Sequence, residues 1–69
     1  MNEPNWLTEL RAEKGDLDGK IQRLEKALET QPMLLSQYQL LRKQLIHMTL
    51  YSQVLGQRII DAQPQEQAS

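Results

Sequence analysis

Apolar residues recur at alternating three- and four-residue steps on both sides of one proline, and this pattern leaves the chain few folds. Before Pro32 the positions are Leu7, Leu10, Leu17, Ile21, Leu24 and Leu28, regular once position 14 is counted. After it they are Leu34, Tyr38, Leu41, Leu45, Met48, Leu55 and Ile59, on a heptad that includes Ser52. Such alternation marks a helix whose apolar seam faces a partner helix. Pro32 lacks an N–H and pushes Gln31 out of the helical region, so it closes the first helix, and it suits the first turn of the next. A link this short makes the helices antiparallel neighbours. The expected fold is all-α: an antiparallel two-helix hairpin, about 6–30 and 33–61, packed along a heptad seam. The hairpin domain spans 1–62, and 63–69, rich in Gln and Ala without an apolar anchor, reads as a disordered tail.

Finer features follow from the same pattern. Asn2 or Asn5 is placed to cap the first helix, and Thr30 or Gln31 to stand near the cap of the second. Gly15 and Gly19 each weaken the first helix by about 1 kcal/mol relative to alanine and allow a kink, although the seam keeps its phase. Gly56 is a soft spot in the second. Folding about Gln31 and Pro32 pairs positions whose numbers sum to about 62 or 63, placing Leu24 opposite Tyr38, Ile21 opposite Leu41 and Leu17 opposite Leu45. The second helix also carries Leu35, Leu40, Ile46, Leu50, Tyr51, Val54 and Ile60 off the seam. Two helices cannot bury that surplus, so the hairpin is expected to assemble as a homo-oligomeric helical bundle; a monomer with an apolar surface is the alternative.

Composition narrows the function. The 69 residues include no cysteine and one histidine, which leaves no disulfide framework, thiol chemistry or His-rich metal site. A formal charge of −1 excludes a strongly basic binder of long nucleic acid. No apolar run approaches the roughly 20 residues that span a bilayer. A chain so short buries only about 60% of its unfolded surface, a further reason to expect association with its own kind. No nucleophile–base pair, Gly-rich phosphate loop or metal-ligand cluster is present, so no catalytic residue and no cofactor are expected and the chain does not read as an enzyme.

Binding chemistry has better candidates. Lys14 occupies a seam position between Leu10 and Leu17, close by hairpin arithmetic to Met48, Tyr51 and Ser52. It is either a register device that snorkels outward or a cation at the edge of an interhelical cavity, placed to bind an anion. From Pro32 through Ile60 there is no acid, while Arg42, Lys43 and Arg58 are basic. The acids, Glu9, Glu13, Asp16, Asp18, Glu25 and Glu29, crowd the first helix. Acidic and basic faces then pair across an oligomer interface, or the acid-free surface bearing Gln44, His47, Tyr51, Ser52 and Arg58 accepts a phosphate. Trp6, Tyr51 and Arg58 together have the parts for a nucleotide, aromatic faces for the base and a guanidinium for phosphate. Trp6 reads more readily as a hydrophobic lid that covers the open end of the hairpin.

The runs EKGDLDGKIQRLEKAL (Glu13 to Leu28) and LLRKQLIHMTLYSQVLGQRI (Leu40 to Ile59) resemble small phage-encoded proteins related to an uncharacterised crAss-like phage protein. The matching positions are Glu13, Lys14, Leu17, Lys20, Ile21, Leu24, Leu40, Leu41, Gln44, Leu45, Met48, Tyr51, Leu55, Arg58 and Ile59. In size and hairpin layout these proteins are similar to the anti-defence sponges that oligomerise and sequester the nucleotide messengers of CBASS and Thoeris immunity without cleaving them. The resemblance implies a phage anti-defence protein in the host cytoplasm during infection, holding a cyclic oligonucleotide or an ADP-ribose derivative. It makes Lys14, Lys20, Tyr51 and Arg58 ligand contacts. On this reading Trp6 shares base stacking with Tyr51, and Gln44, His47 and Ser52 supply hydrogen bonds. A different class of function fits the apolar surplus equally well: a helical protein–protein module that inhibits or adapts a host protein through one amphipathic face.

Overall fold

In the computed structural model, which describes residues 3–63, α1 spans Asn5–Thr30 and α2 spans Leu35–Ala62, and the two pack against each other as a hairpin. α1 runs unbroken through Gly15 and Gly19. It ends where Pro32 requires: Gln31 is extended (φ −98°, ψ 128°), and its N–H donates to the Ala27 carbonyl at 2.8 Å. Pro32 does not open the second helix. Leu34 is still extended at ψ 146°, so α2 begins at Leu35 rather than at 33, with neither Thr30 nor Gln31 near its cap. Thr30 instead turns its hydroxyl back to the Lys26 carbonyl at 2.8 Å. Among the described residues the turn uses no left-handed backbone.

The entry to α1 also differs from the expected asparagine cap. Asn5 is already helical, Pro4 stands at the cap, and its carbonyl accepts from the N–H groups of Leu7 and Thr8. Asn2 and the tail beyond Gln63 lie outside the described residues. Glu3 supplies the anchor: its carboxylate accepts from the Thr8 hydroxyl at 2.8 Å and the Arg11 guanidinium at 3.0 Å. A carboxylate there also opposes the positive end of the helix dipole. The Thr8 hydrogen bond, with Arg11 assisting, holds the Glu3 carboxyl below its ordinary value.

The seam forms as the heptads require, but its register is shifted. Ser52 lies between Lys14 and Asp18, bonded to both, whereas folding about Gln31 and Pro32 would have set it opposite residue 10 or 11. Leu28, not Leu24, shares a groove with Tyr38. The extended Met33 and Leu34 lengthen the link and carry α2 about one turn along α1. Packing is uneven along the seam. Leu7, Leu10, Leu17, Leu55 and Ile59 are buried toward the open end, with Ile21, Met48 and Ala62 against them. Leu24, Leu28, Tyr38, Leu41 and Leu45, toward the turn, are only half-buried. No helix among the described residues is long and apolar enough to cross a membrane.

Candidate functional site

The residues expected to meet a ligand divide between the seam and one flank of the hairpin. Lys14 and Ser52 belong to the seam. The Lys14 Nζ donates to Asp18 Oδ2 at 2.9 Å and to Ser52 Oγ at 2.9 Å, and the Ser52 hydroxyl donates to Asp18 Oδ1. The lysine stem reaches this position by crossing Gly56, where a Cβ would lie 3.2 Å from Lys14 Cε. A cation in an apolar seam is thus compensated by a carboxylate one helical turn away, the spacing at which helical side chains meet. Hydrogen bonds from Ser52 and then Lys14 hold the Asp18 carboxyl below its ordinary value. Among the described residues no buried side-chain polar atom lacks a partner.

One residue before each of these seam positions, the chain builds a second polar contact. The Tyr51 hydroxyl donates to Glu13 Oε2 across the helices. That bond, together with loss of hydration and the Glu13 charge, raises the Tyr51 phenol above its ordinary value, while the nearby Arg58 charge works the other way. Tyr51 is therefore a neutral donor through the physiological range. Heptad spacing extends the Glu13–Tyr51 row in both directions. Trp6 and Lys20 stand seven residues either side of Glu13, and Arg58 and Gln44 seven either side of Tyr51. Antiparallel packing places Trp6 across from Arg58 and Lys20 across from Gln44, each row about 10 Å from the Tyr51 row. His47 lies one turn from Tyr51, further from the seam.

A groove of about 450 Å3 runs along this flank, lined by Glu9, Ala12, Glu13, Asp16, Leu17, Lys20 and Tyr51. Its lysine is Lys20; Lys14 is held away in the seam by Asp18. Among the described residues Lys20 and Arg58 make no ion pair. Trp6 does not close the open end as a lid: it is 55% exposed. Gln44 and His47 are exposed, and Gln44 reaches the Met48 sulfur at 3.7 Å.

Sequence reasoning missed two contributors. Asp18 was legible as the i, i+4 partner of Lys14, and Glu13 as the neighbour of a seam lysine, but neither spacing says that an acid will cross to α2. Glu9, Glu13 and Asp16 also make the groove more acidic than a phosphate site requires; Lys20 is the cation among its lining residues, and Arg58 does not line it. Tyr38 with Arg42 and Lys43 lines another groove near the turn. Among the described residues no group of three or more acidic or histidine side chains is placed to hold a metal ion.

A family model described as Sequestin matches residues 4–61, which takes in all of α1, α2 through Asp61 and every side chain of this flank. No curated protein and no solved structure matches the chain.

Proposed function

Because this chain belongs to the Sequestin family, we propose that it is a phage anti-defence protein that binds a host immune nucleotide messenger and holds it without cleaving it. The family's name denotes sequestration, and a binder that returns its ligand intact needs recognition groups but no reactive ones. The observation that carries the nucleotide reading is the row of Tyr51 between Arg58 and Lys20 on one flank, with Trp6 across from Arg58. In this reading Tyr51 or Trp6 stacks a base, and Arg58 and Lys20, on either side of the Tyr51 row, reach toward the phosphates. The flexible lysine and arginine side chains can converge on the Tyr51 row, as the closely spaced phosphates of a cyclic oligonucleotide or an ADP-ribose derivative require. Glu13, repelling phosphate, faces the sugar hydroxyls or base amino groups, with Gln44 and His47 adding hydrogen bonds. Ser52 and Lys14 act from behind by fixing the helices. Binding takes place in the host cytoplasm, where such messengers are made.

Native mass spectrometry on protein purified from cells producing immune nucleotides tests this directly. The expected spectrum carries extra mass equal to whole nucleotides, released unaltered on denaturation and lost in Tyr51→Ala and Arg58→Ala. Protein that arrives bare and takes up none of the messengers added singly would sink the proposal and favour a host protein as the target.

A further inference from the structure

Among the described residues, the two most exposed large apolar side chains are neighbours at the turn: Leu34 is 74% and Leu35 70% exposed. Pro32 is exposed beside them and Met33 is half-buried. From Ala27 to Leu41 the one charged residue is Glu29, so the turn end is an apolar tip rather than a polar loop. Positive charge gathers just behind it. Between residues 23 and 43, Arg23, Lys26, Arg42 and Lys43 outnumber Glu25 and Glu29, whereas elsewhere in the chain the other four basic residues are set against seven acids. A molecule 54 Å long is thus polarised along its axis, positive toward the turn and negative away from it. Among the described residues none of the four basic side chains near the turn makes an ion pair.

We infer that the turn end docks on the surface of an anionic lipid bilayer. Neither helix is long and apolar enough to cross a membrane, but a surface contact needs no such length. It needs apolar side chains that enter the interface by about 5–10 Å and basic side chains level with the lipid phosphates. The hairpin supplies that spacing. Lys26 lies one turn before the end of α1, about 6 Å from it, and Arg42 and Lys43 lie two turns into α2, about 10–12 Å from its start. Their stems run along apolar surface while the charges stay among the phosphates. Arg23 lies back along α1 toward Gly19 and stands further out. With Pro32, Leu34 and Leu35 at the acyl boundary, Tyr38, one turn into α2, comes to the headgroup level, which suits a ring with one polar end. The leucines project from a convex end, and a fluid surface closes around such an end without a matching cavity. Charge sets the approach: an anionic surface attracts the turn half and repels the rest, so the tip leads. Glu29, in the last turn of α1, opposes the contact. Trp6, Tyr51 and Arg58 lie toward the other end, so docking leaves their flank open.

The test is co-sedimentation of the full-length protein with vesicles, either of phosphatidylcholine alone or of phosphatidylcholine mixed with phosphatidylglycerol. Binding is expected to the anionic vesicles and not to the neutral ones, and should fall as salt is raised. Leu34→Ser combined with Leu35→Ser, both at exposed positions, should weaken it on the order of tenfold with the helical signal retained. Glu29→Gln should strengthen it about fivefold, since it removes one like charge from the contact. Trp6 is the single tryptophan and stands at the open end, so its emission should stay unmoved when anionic vesicles are added. In Leu34→Trp the added fluorescence should shift to shorter wavelength. Protein that stays in solution with anionic vesicles would overturn the inference and leave the tip to a protein partner. So would binding untouched by the double serine variant, or a shift in Trp6 emission, which would put the contact at the other end. None of these readouts involves a nucleotide, so the docking surface stands or falls separately from the ligand.

Discussion

At the residue scale, two cross-helix contacts have opposite responses to pH. Asp18 is held below its ordinary value of 3.8 by Ser52 and Lys14. Its contribution to stability is therefore present above that value and lost as pH falls through the lower value it has in the folded protein. Thermal melts in acid should show a fall in Tm that Asp18→Asn flattens, because the amide keeps the shape but has no charge to titrate. Tyr51 lies above its ordinary 10.0, chiefly through Glu13. Its contribution is complete below pH 10 and disappears as the phenol ionises above it. In an ultraviolet absorbance titration, Glu13→Gln should bring the Tyr51 transition to lower pH; an unmoved transition would mean that the contact does not form in solution. The composition of this polar layer was half legible in the sequence. Lys14 and Ser52 broke the apolar rhythm and announced themselves, whereas Asp18 occupies an ordinary surface position and is recruited only by the geometry of the seam.

At the element scale, the hairpin was legible because helix period, seam period and helix-breaker all agree, and such agreement across levels is what fixes a fold. The register was not, because Pro32 fixes where α1 stops without fixing how many residues stay extended before α2. Met33 and Leu34 are apolar, with no capping side chain to mark a start, and the pattern alone allowed α2 to begin two residues early. The glycines make separable predictions. Gly15 is exposed with nothing within 4 Å of an added Cβ. Gly15→Ala should therefore stabilise α1 by about 0.5–1 kcal/mol, raising Tm by several degrees in a domain this small. Gly56→Ala should gain less, since Lys14 must give way by a few tenths of an ångström. If the two gains are equal in thermal melts, the lysine stem does not cross α2 at Gly56. Leu55 has no exposed surface, so Leu55→Ala should cost about 2–5 kcal/mol, enough to unfold a hairpin of marginal stability.

At the scale of the whole molecule, charge is partitioned between helices that lie side by side. α1 holds Glu9, Glu13 and Asp16 along the groove, while α2 has no acid before Asp61. A phosphate-bearing ligand of the kind proposed would meet attraction from Lys20 and Arg58 and repulsion from Glu13 between them. Binding of such a messenger should weaken as salt is raised, and the slope should shrink in Lys20→Ala and in Arg58→Ala, measured by titration calorimetry. A slope unchanged in both variants would take the two side chains out of the site.

Burial is densest where the chain enters α1 and leaves α2, and thinnest beside the covalent turn. Loops are usually the thinly packed parts of a small protein, yet here the thin packing extends into helix. The hairpin resembles a clasp fastened at its free ends: amides around Leu28 and Tyr38 are expected to exchange with solvent before those around Leu10 and Leu55, and limited proteolysis is expected to cut first near Pro32. Because the two halves are gripped at the far end, a molecule nicked at the turn is expected to remain one particle by analytical ultracentrifugation; separation into two helices on nicking would mean that the buried cluster does not hold them.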